Sequence, residues 1–527
     1  MGRGFLVVAA AKAYFIVSSA ILNLGLPRLL GDSARFGDFR VVNSVVSLLN
    51  MVVIVGAIQA VARVVGEVGQ APRAVSRTGR RVQLVVGLVF GGGLWLLADL
   101  IATQGLNDPH LAPYFRIGAL TTFAYALYAV DVGLWNGQKQ FARQARIDIL
   151  FSTLKLGAIT GLVALGFGVG GAFVGFALAA WAITLIGAWV SHRQLAGTAT
   201  GPRVSTGHLL VLLLPMLAST AMLNLLLSLD GLWLKRSLHR LVAEQYPGTE
   251  STAALRAYVT SLGRTAMDGA LSHAELLTEA TSALSGLFGA AKNLALLPYQ
   301  ATYALTLVVF PMVANAGHAD PAAALQTVRR AMRFTLLLGA TISVPLAAAP
   351  APVLTLLFGA PYTLAADALQ WLLLAAVLLS LFILAVTVLS SIGGERRGAA
   401  ITLGTVALQG VLLALVLDSG VRSLDEPVLA RAAMASAAAS ALGLALAGWS
   451  LHRRLGAPLA LPSLVRTAVS AALALGVTRV VPLPSGILGA ILAPALAGGV
   501  FVLGLWLLRE VGAADLAIVQ RVLRRRP

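Results

Sequence analysis

Val41 to Ala62 reads VVNSVVSLLNMVVIVGAIQAVA and carries no charged side chain. An α-helix rises about 1.5 Å per residue, so roughly 20 apolar residues cross a hydrocarbon layer about 30 Å thick. A strand of a membrane barrel would alternate apolar and polar residues over about ten positions, and this stretch does not alternate. It reads as a spanning helix. Equally uncharged runs recur at Val204–Leu229, Asn293–Ala319, Phe334–Ala366, Ala368–Ile392, Gly398–Leu417, Ala432–His452 and Val480–Leu508. The composition agrees, because only 11% of the 527 residues are charged and 58% are hydrophobic, whereas a soluble domain carries about 25% charge.

The expectation is an all-α, polytopic membrane protein of about fourteen transmembrane helices. The spans are placed at 5–27, 41–62, 82–103, 112–135, 148–168, 171–191, 208–230, 286–313, 331–357, 367–391, 398–417, 429–451, 464–482 and 486–508. Between the fifth and sixth, Gly166, Gly168, Gly170 and Gly171 supply a tight turn.

A net charge of +18 would suit nucleic acid if it formed one basic face on a soluble module. Here the basic residues fall in short clusters between apolar runs, so no nucleic-acid partner is expected. Orientation explains them better, since cytoplasmic connections are enriched in Lys and Arg. With both termini cytoplasmic, 25 of the 39 Lys and Arg residues fall on one side. The opposite connections are short, except for residues 231–285, which carry both charge signs and leucines at helical spacing. This insertion is read as an extramembrane helical cap or a loop. The absence of cysteine excludes disulfides, thiolate zinc sites and a cysteine nucleophile.

In so apolar a chain the charges inside spans are the informative residues, because each is costly unless it meets protein, water or a partner. Lys12, Arg63, Arg116, Lys155 and Lys292 are candidates for lining a cavity suited to an anion; the bland alternative is snorkelling from a helix end. Asp131 and Asp230 are candidates for a gating ion pair or a proton or sodium site, against a purely structural hydrogen-bonding role. Pro215, Pro298, Pro345 and Pro350 are hinge candidates, since proline removes a backbone donor and bends a helix; the ninth span is expected to be broken. The seven histidines show no metal-ligand spacing, and there is no phosphate-binding Gly-Lys-Ser/Thr loop. No catalytic, cofactor or metal site is therefore expected, and a transporter is favoured over an enzyme.

Several short motifs resemble the multidrug, oligosaccharidyl-lipid and polysaccharide flippase superfamily, above all its bacterial polysaccharide-exporter or lipid-linked oligosaccharide flippase branch. They are Leu26-Pro-Arg-Leu-Leu-Gly31 with Arg35-Phe-Gly-Asp-Phe39, Gln59-Ala-Val-Ala-Arg63, Gly137 to Phe141, Gly286-Leu-Phe-Gly-Ala-Ala-Lys-Asn293, Val309-Phe-Pro-Met312, Phe358-Gly with Tyr362, and Ile392-Gly-Gly-Glu-Arg-Arg397. The resemblance implies two six-helix lobes around a central cavity, here 1–203 and 204–457, with two further helices and a basic tail in 458–527. It implies transfer of a lipid-linked oligosaccharide or polysaccharide precursor across the bacterial cytoplasmic membrane by alternating access, coupled to a proton or sodium gradient. The implied partners are an anionic lipid-linked glycan, membrane lipids and a glycan polymerase or other assembly protein. Export of a drug or metabolite by the same fold, a membrane-embedded glycosyltransferase or polymerase, and a non-transporting scaffold for glycan assembly are the alternatives.

Overall fold

The computed structural model describes residues 2–67, 71–196, 204–263, 271–302, 321–419, 423–424, 427–482, 484 and 486–512, with the side chains of 2–13, 16 and 321 outside the description. The described residues form helices and no strand. Ten of these helices are long and apolar enough to cross a membrane, or eleven when the bent pair Pro72–Leu96 and Ala98–Gly105 is taken as one span. One of the ten, Phe141–Leu195, is a single run by length but reverses at Gly166 and Gly168, whose φ values of +91° and +55° no longer belong to a helix. It is an antiparallel hairpin of two helices, with the turn at the expected glycines. Much of the expected eighth span lies outside the described residues.

The chain divides into two compact units, Met1–Gly289 and Ala290–Pro527. The first holds α1 (Gly2–Leu30), α2 (Ser33–Gly66), α3 (Pro72–Leu96, continued by Ala98–Gly105 beyond a 52° bend), α4 (Ala112–Gly137), α5 (Phe141–Leu162), α6 (Gly168–Leu195), α7 (Thr206–Gln245), the short α8 (Thr252–Ser261) and most of α9 (His273–Ala295). Asp32 starts α2 by accepting from the Ala34 amide at 2.7 Å, the standard satisfaction of a free helix-start donor.

Lipid is as apolar as leucine, so membrane helices associate through close packing over small residues. The α2–α4 contact shows this in a fixed register. Gly118, Gly133 and Gly137 of α4 face Val46, Val61 and Val65 of α2, and a Cβ added to Gly133 or Gly137 would come within 2.7 or 2.6 Å of the valine Cβ. The two helices therefore run parallel in tight contact. Gly56 likewise admits Leu217 of α7.

α7 departs from the expectation. The seventh span, expected to end at residue 230, continues as one helix to Gln245, and α9 begins at His273. The expected insertion 231–285 is thus mostly a continuation of its flanking helices, leaving a connection of 246–272 that includes α8. Its charges permit this where they find partners: Lys235 is buried in an ion pair with Asp108, from outside the helix, while Arg240 meets Glu244 one turn on, at 3.8 Å. Forty residues make a helix about 60 Å long, roughly twice the hydrocarbon thickness, so α7 reaches well past the apolar layer.

The second unit holds α10 (Pro321–Ala348), α11 (Pro350–Phe358), α12 (Ala366–Ser391), α13 (Glu395–Leu413), α14 (Val428–Leu455), α15 (Leu461–Val480) and α16 (Ile487–Leu507). The ninth span is broken as expected: Ala349 leaves the helical region at φ −139° and Pro350 starts α11. Ala340 and Val344 of α10 share a core with Ala474 of α15 and Ala497, Phe501 and Leu505 of α16. Just past α16, the buried Glu510 accepts from Arg333 of α10 at 2.8 Å and Arg466 of α15 at 3.3 Å, tying the last two helices to the rest of this unit.

The close α2–α4 register predicts that Gly133→Leu, which forces a branched side chain against Val61, destabilises the protein by about 1–3 kcal/mol or more. Gly92, with no atom within 4 Å of an added Cβ, provides the control. Melting of the purified protein in detergent should show a clear loss for Gly133→Leu and little change for Gly92→Ala.

Candidate functional site

Helices that alternate in direction bring the α1–α2 connection, the α3–α4 connection and the distal part of α7 to one end of the first unit. There the structure assembles a buried ion cluster. Asp38 lies one turn into α2, Asp108 and His110 lie in the α3–α4 connection, Lys235 comes from the continuation of α7 and Ser282 from α9. Lys235 is 1% exposed and donates to Asp108 Oδ2 at 2.8 Å and to Ser282 Oγ at 2.5 Å. His110 stands over the cluster with its side chain 54% exposed, Nδ1 3.5 Å from Asp108 Oδ1 and Nε2 3.9 Å from Asp38 Oδ2. Its ring meets Tyr114 edge-on at 5.4 Å.

Burial by itself would raise the Asp108 carboxyl, but the neighbouring His110 imidazole and the charge and hydrogen bond of Lys235 outweigh it and hold it below the usual carboxylate value. Asp38 is 7% exposed and its Oδ1, like Asp108 Oδ1, has no hydrogen-bond partner. α9 is pressed onto the start of α2 beside them: Gly37 packs on the Ser282 carbonyl, Gly286 packs on the Ser33 carbonyl, and Ser33 Oγ donates to the Leu262 carbonyl at 2.6 Å. No room for a side chain exists at either glycine.

The opposite end of the first unit carries the basic connections. Asp131, buried in α4, accepts from Arg80 of α3 at 2.7 Å. Glu67, at the end of α2, lies 3.1 Å from His208 at the start of α7 through both carboxylate oxygens. Arg143 and Gln138 both meet Gln194. Asp131 is thus an ion-pair residue tying α4 to α3.

The other residues singled out in the sequence are dispersed. Lys12 lies on α1, its side chain outside the described residues. Arg63 is exposed in the last turn of α2, where a cation complements the helix dipole. Arg116 pairs with Asp99 at 2.5 Å, both partly exposed. Lys155 of α5 sits among three phenyl rings, 5.4 Å from Phe15, 5.7 Å from Phe151 and 5.6 Å from Phe176. Cation–π attraction to three faces holds an ammonium in apolar surroundings. Lys292 is buried on α9. Asp230, also buried, lies inside α7 rather than at its end and accepts from the Gly231 amide at 2.7 Å; its charge acts on Arg40 of α2. Pro215 and Pro345 lie within α7 and α10, Pro350 starts α11, and Pro298 accepts through its carbonyl from Thr302 at 3.0 Å.

Asp38, Asp108, His110 and Lys235 were not among the candidate site residues read from the sequence. Asp38 stands in the quoted Arg35-Phe-Gly-Asp-Phe39 motif, and all four fall at one end once helix directions alternate. Lys235 escaped because it lay beyond the apolar run. Removing one member of a buried ion pair costs about 3–5 kcal/mol, whereas replacing both is far milder. Lys235→Met should therefore lower the melting temperature strongly, and Lys235→Met with Asp108→Asn should recover a large part of the loss; equal losses in both would contradict the pairing.

Residues 26–232 match the family model described as "Polysaccharide biosynthesis protein". No curated protein matches the sequence. Among solved structures, the lipid II flippase MurJ in an inward closed conformation superposes with a TM-score of 0.70 at 13% identity, covering 94% of this chain and 99% of that one. An inward-facing multidrug resistance MATE transporter gives 0.58 at 16% identity, covering 85% and 97%. A MOP superfamily transporter from Pyrococcus furiosus gives 0.51 at 14%, covering 85% and 95%. The chain is a multi-pass membrane protein, all-helical among the described residues, that shares the fold of these transporters, and residues 26–232 match the polysaccharide-biosynthesis family model.

Proposed function

We propose that the protein moves an anionic, lipid-linked oligosaccharide or polysaccharide precursor across the bacterial cytoplasmic membrane by alternating access, with both termini cytoplasmic. One observation carries this reading: the chain shares the fold of a lipid II flippase along nearly its whole length, and its first 232 residues include a polysaccharide-biosynthesis match. No bond is made or broken in such a step. The work is binding, reorientation and release, and a ligand shifts the two states only by its difference in affinity for them.

The physical chemistry of the basic residues supports an anionic cargo. Lys155 is held by aromatic faces that supply no countercharge, so a phosphate oxygen would gain a charge-assisted contact there. Arg63 and Lys292 are the other cationic side chains assigned to the head group in this reading, with Arg116 and Lys12 as further contributors. A proton or sodium gradient biases the cycle through Asp131 or Asp230, and a glycan polymerase or other assembly protein receives the product.

Native mass spectrometry of the purified protein tests the cargo class. Wild type should retain an added polyprenyl-diphosphate oligosaccharide in preference to bulk phospholipid, and Lys155→Gln should weaken that retention about tenfold, the loss of one charge-assisted contact. Retention of small amphipathic cations, with no preference for the diphosphate lipid, would instead favour the exporter reading that the MATE-like fold also allows.

A further inference from the structure

The ion cluster of the first unit has chemistry that translocation of a lipid does not use. Two carboxylates and one imidazole converge from sequence-distant positions: one oxygen of Asp38, one of Asp108 and one ring nitrogen of His110 all lie within 4.8 Å of one another. The separations of 3.5 and 3.9 Å between His110 and the carboxylates are too long for hydrogen bonds. They run to different ring nitrogens, only one of which can bind a given ion; the single ligand atoms of the three residues nonetheless lie within 4.8 Å of one another, a span one ion can bridge, since ligands bound at about 2.0–2.6 Å lie roughly 3–5 Å apart.

The acids also have unmet capacity. Asp38 is 7% exposed, and the buried oxygens Asp38 Oδ1 and Asp108 Oδ1 have no hydrogen-bond donor. A buried carboxylate oxygen without a donor or cation is costly. Lys235 does not fill this gap, because its ammonium is committed to Asp108 Oδ2 and Ser282 Oγ. It holds the Asp108 carboxylate from behind, as outer partners orient metal-ligating carboxylates, and turns Oδ1 toward His110. The two carboxylates outweigh the single ammonium, so a cation is also favoured by charge. His110, 54% exposed, gives that cation a way in.

The donor set restricts which cation. Sodium, calcium and magnesium prefer all-oxygen shells, whereas an imidazole beside carboxylates suits borderline transition cations. We propose that Asp38, Asp108 and His110 form a binding site for one divalent cation of the zinc and manganese class, linking the start of α2 to the α3–α4 connection. Occupancy would fasten that connection to α2, while Lys235 fastens it to α7. The site does not depend on what the protein carries.

The test uses full-length, tag-free protein, stripped with chelator and titrated with Zn²⁺ by calorimetry, with thermal melting in parallel. Wild type should bind Zn²⁺ saturably, one ion per chain, and its melting temperature should rise with the ion, as any ligand of the folded state requires. His110→Gln, at a side chain 54% exposed, should weaken binding by at least about tenfold and lose the thermal shift, measured against the variant's own metal-free melting temperature. His452→Gln, at the end of α14, should bind as wild type does. Absence of saturable binding to wild type, or wild-type affinity in His110→Gln, overturns the proposal. Asp38→Asn is the second probe, and unchanged affinity in a folded Asp38→Asn protein overturns it as well.

Discussion

A charge in apolar surroundings has to find its partner inside the protein, and the salt bridge of Lys235 with Asp108 is where this constraint shapes the first unit. Both side chains are buried to 1% exposure, so neither can keep its charge alone. Because they pair, α7 can continue through a polar stretch as one helix. The same pairing binds α7 to the α3–α4 connection, and Ser282 brings in α9. What reads as an insertion is in large part the far end of two long helices.

Most of the fold was legible because spanning helices announce themselves by uncharged length. The break at Pro350 and the reversal at Gly166 and Gly168 were legible for a similar reason, since proline and glycine have few alternative uses at those points. The course of α7 was not. Periodicity reports the apolar stripe of a helix and ends where the charges begin, but Lys235 is paired by a residue 127 positions earlier. Pairings of that kind depend on tertiary contact. The same limit applies to Lys155, whose aromatic cage draws one ring from each of α1, α5 and α6.

Close packing and buried polar pairs divide the labour elsewhere too. In the first unit, glycines of α4 set a fixed register on the valines of α2, and no charge is needed. At the basic end, the Arg80–Asp131 and Glu67–His208 pairs join helix ends. In the second unit, Glu510 gathers Arg333 and Arg466. Rigid interiors held by small residues, with ionic ties concentrated at the ends, leave the ends as the places where charge or ligand state can alter how helices are joined.

The central functional claim is that this fold carries lipid-linked glycans between leaflets. Its most direct measurement is transfer of a radiolabelled polyprenyl-diphosphate oligosaccharide from one leaflet to the other in vesicles containing the purified protein, against protein-free vesicles. The account predicts protein-dependent transfer that falls sharply when Arg63, Lys155 and Lys292 are neutralised together. Folded protein that transfers none of several such glycans, under either a proton or a sodium gradient, would contradict it.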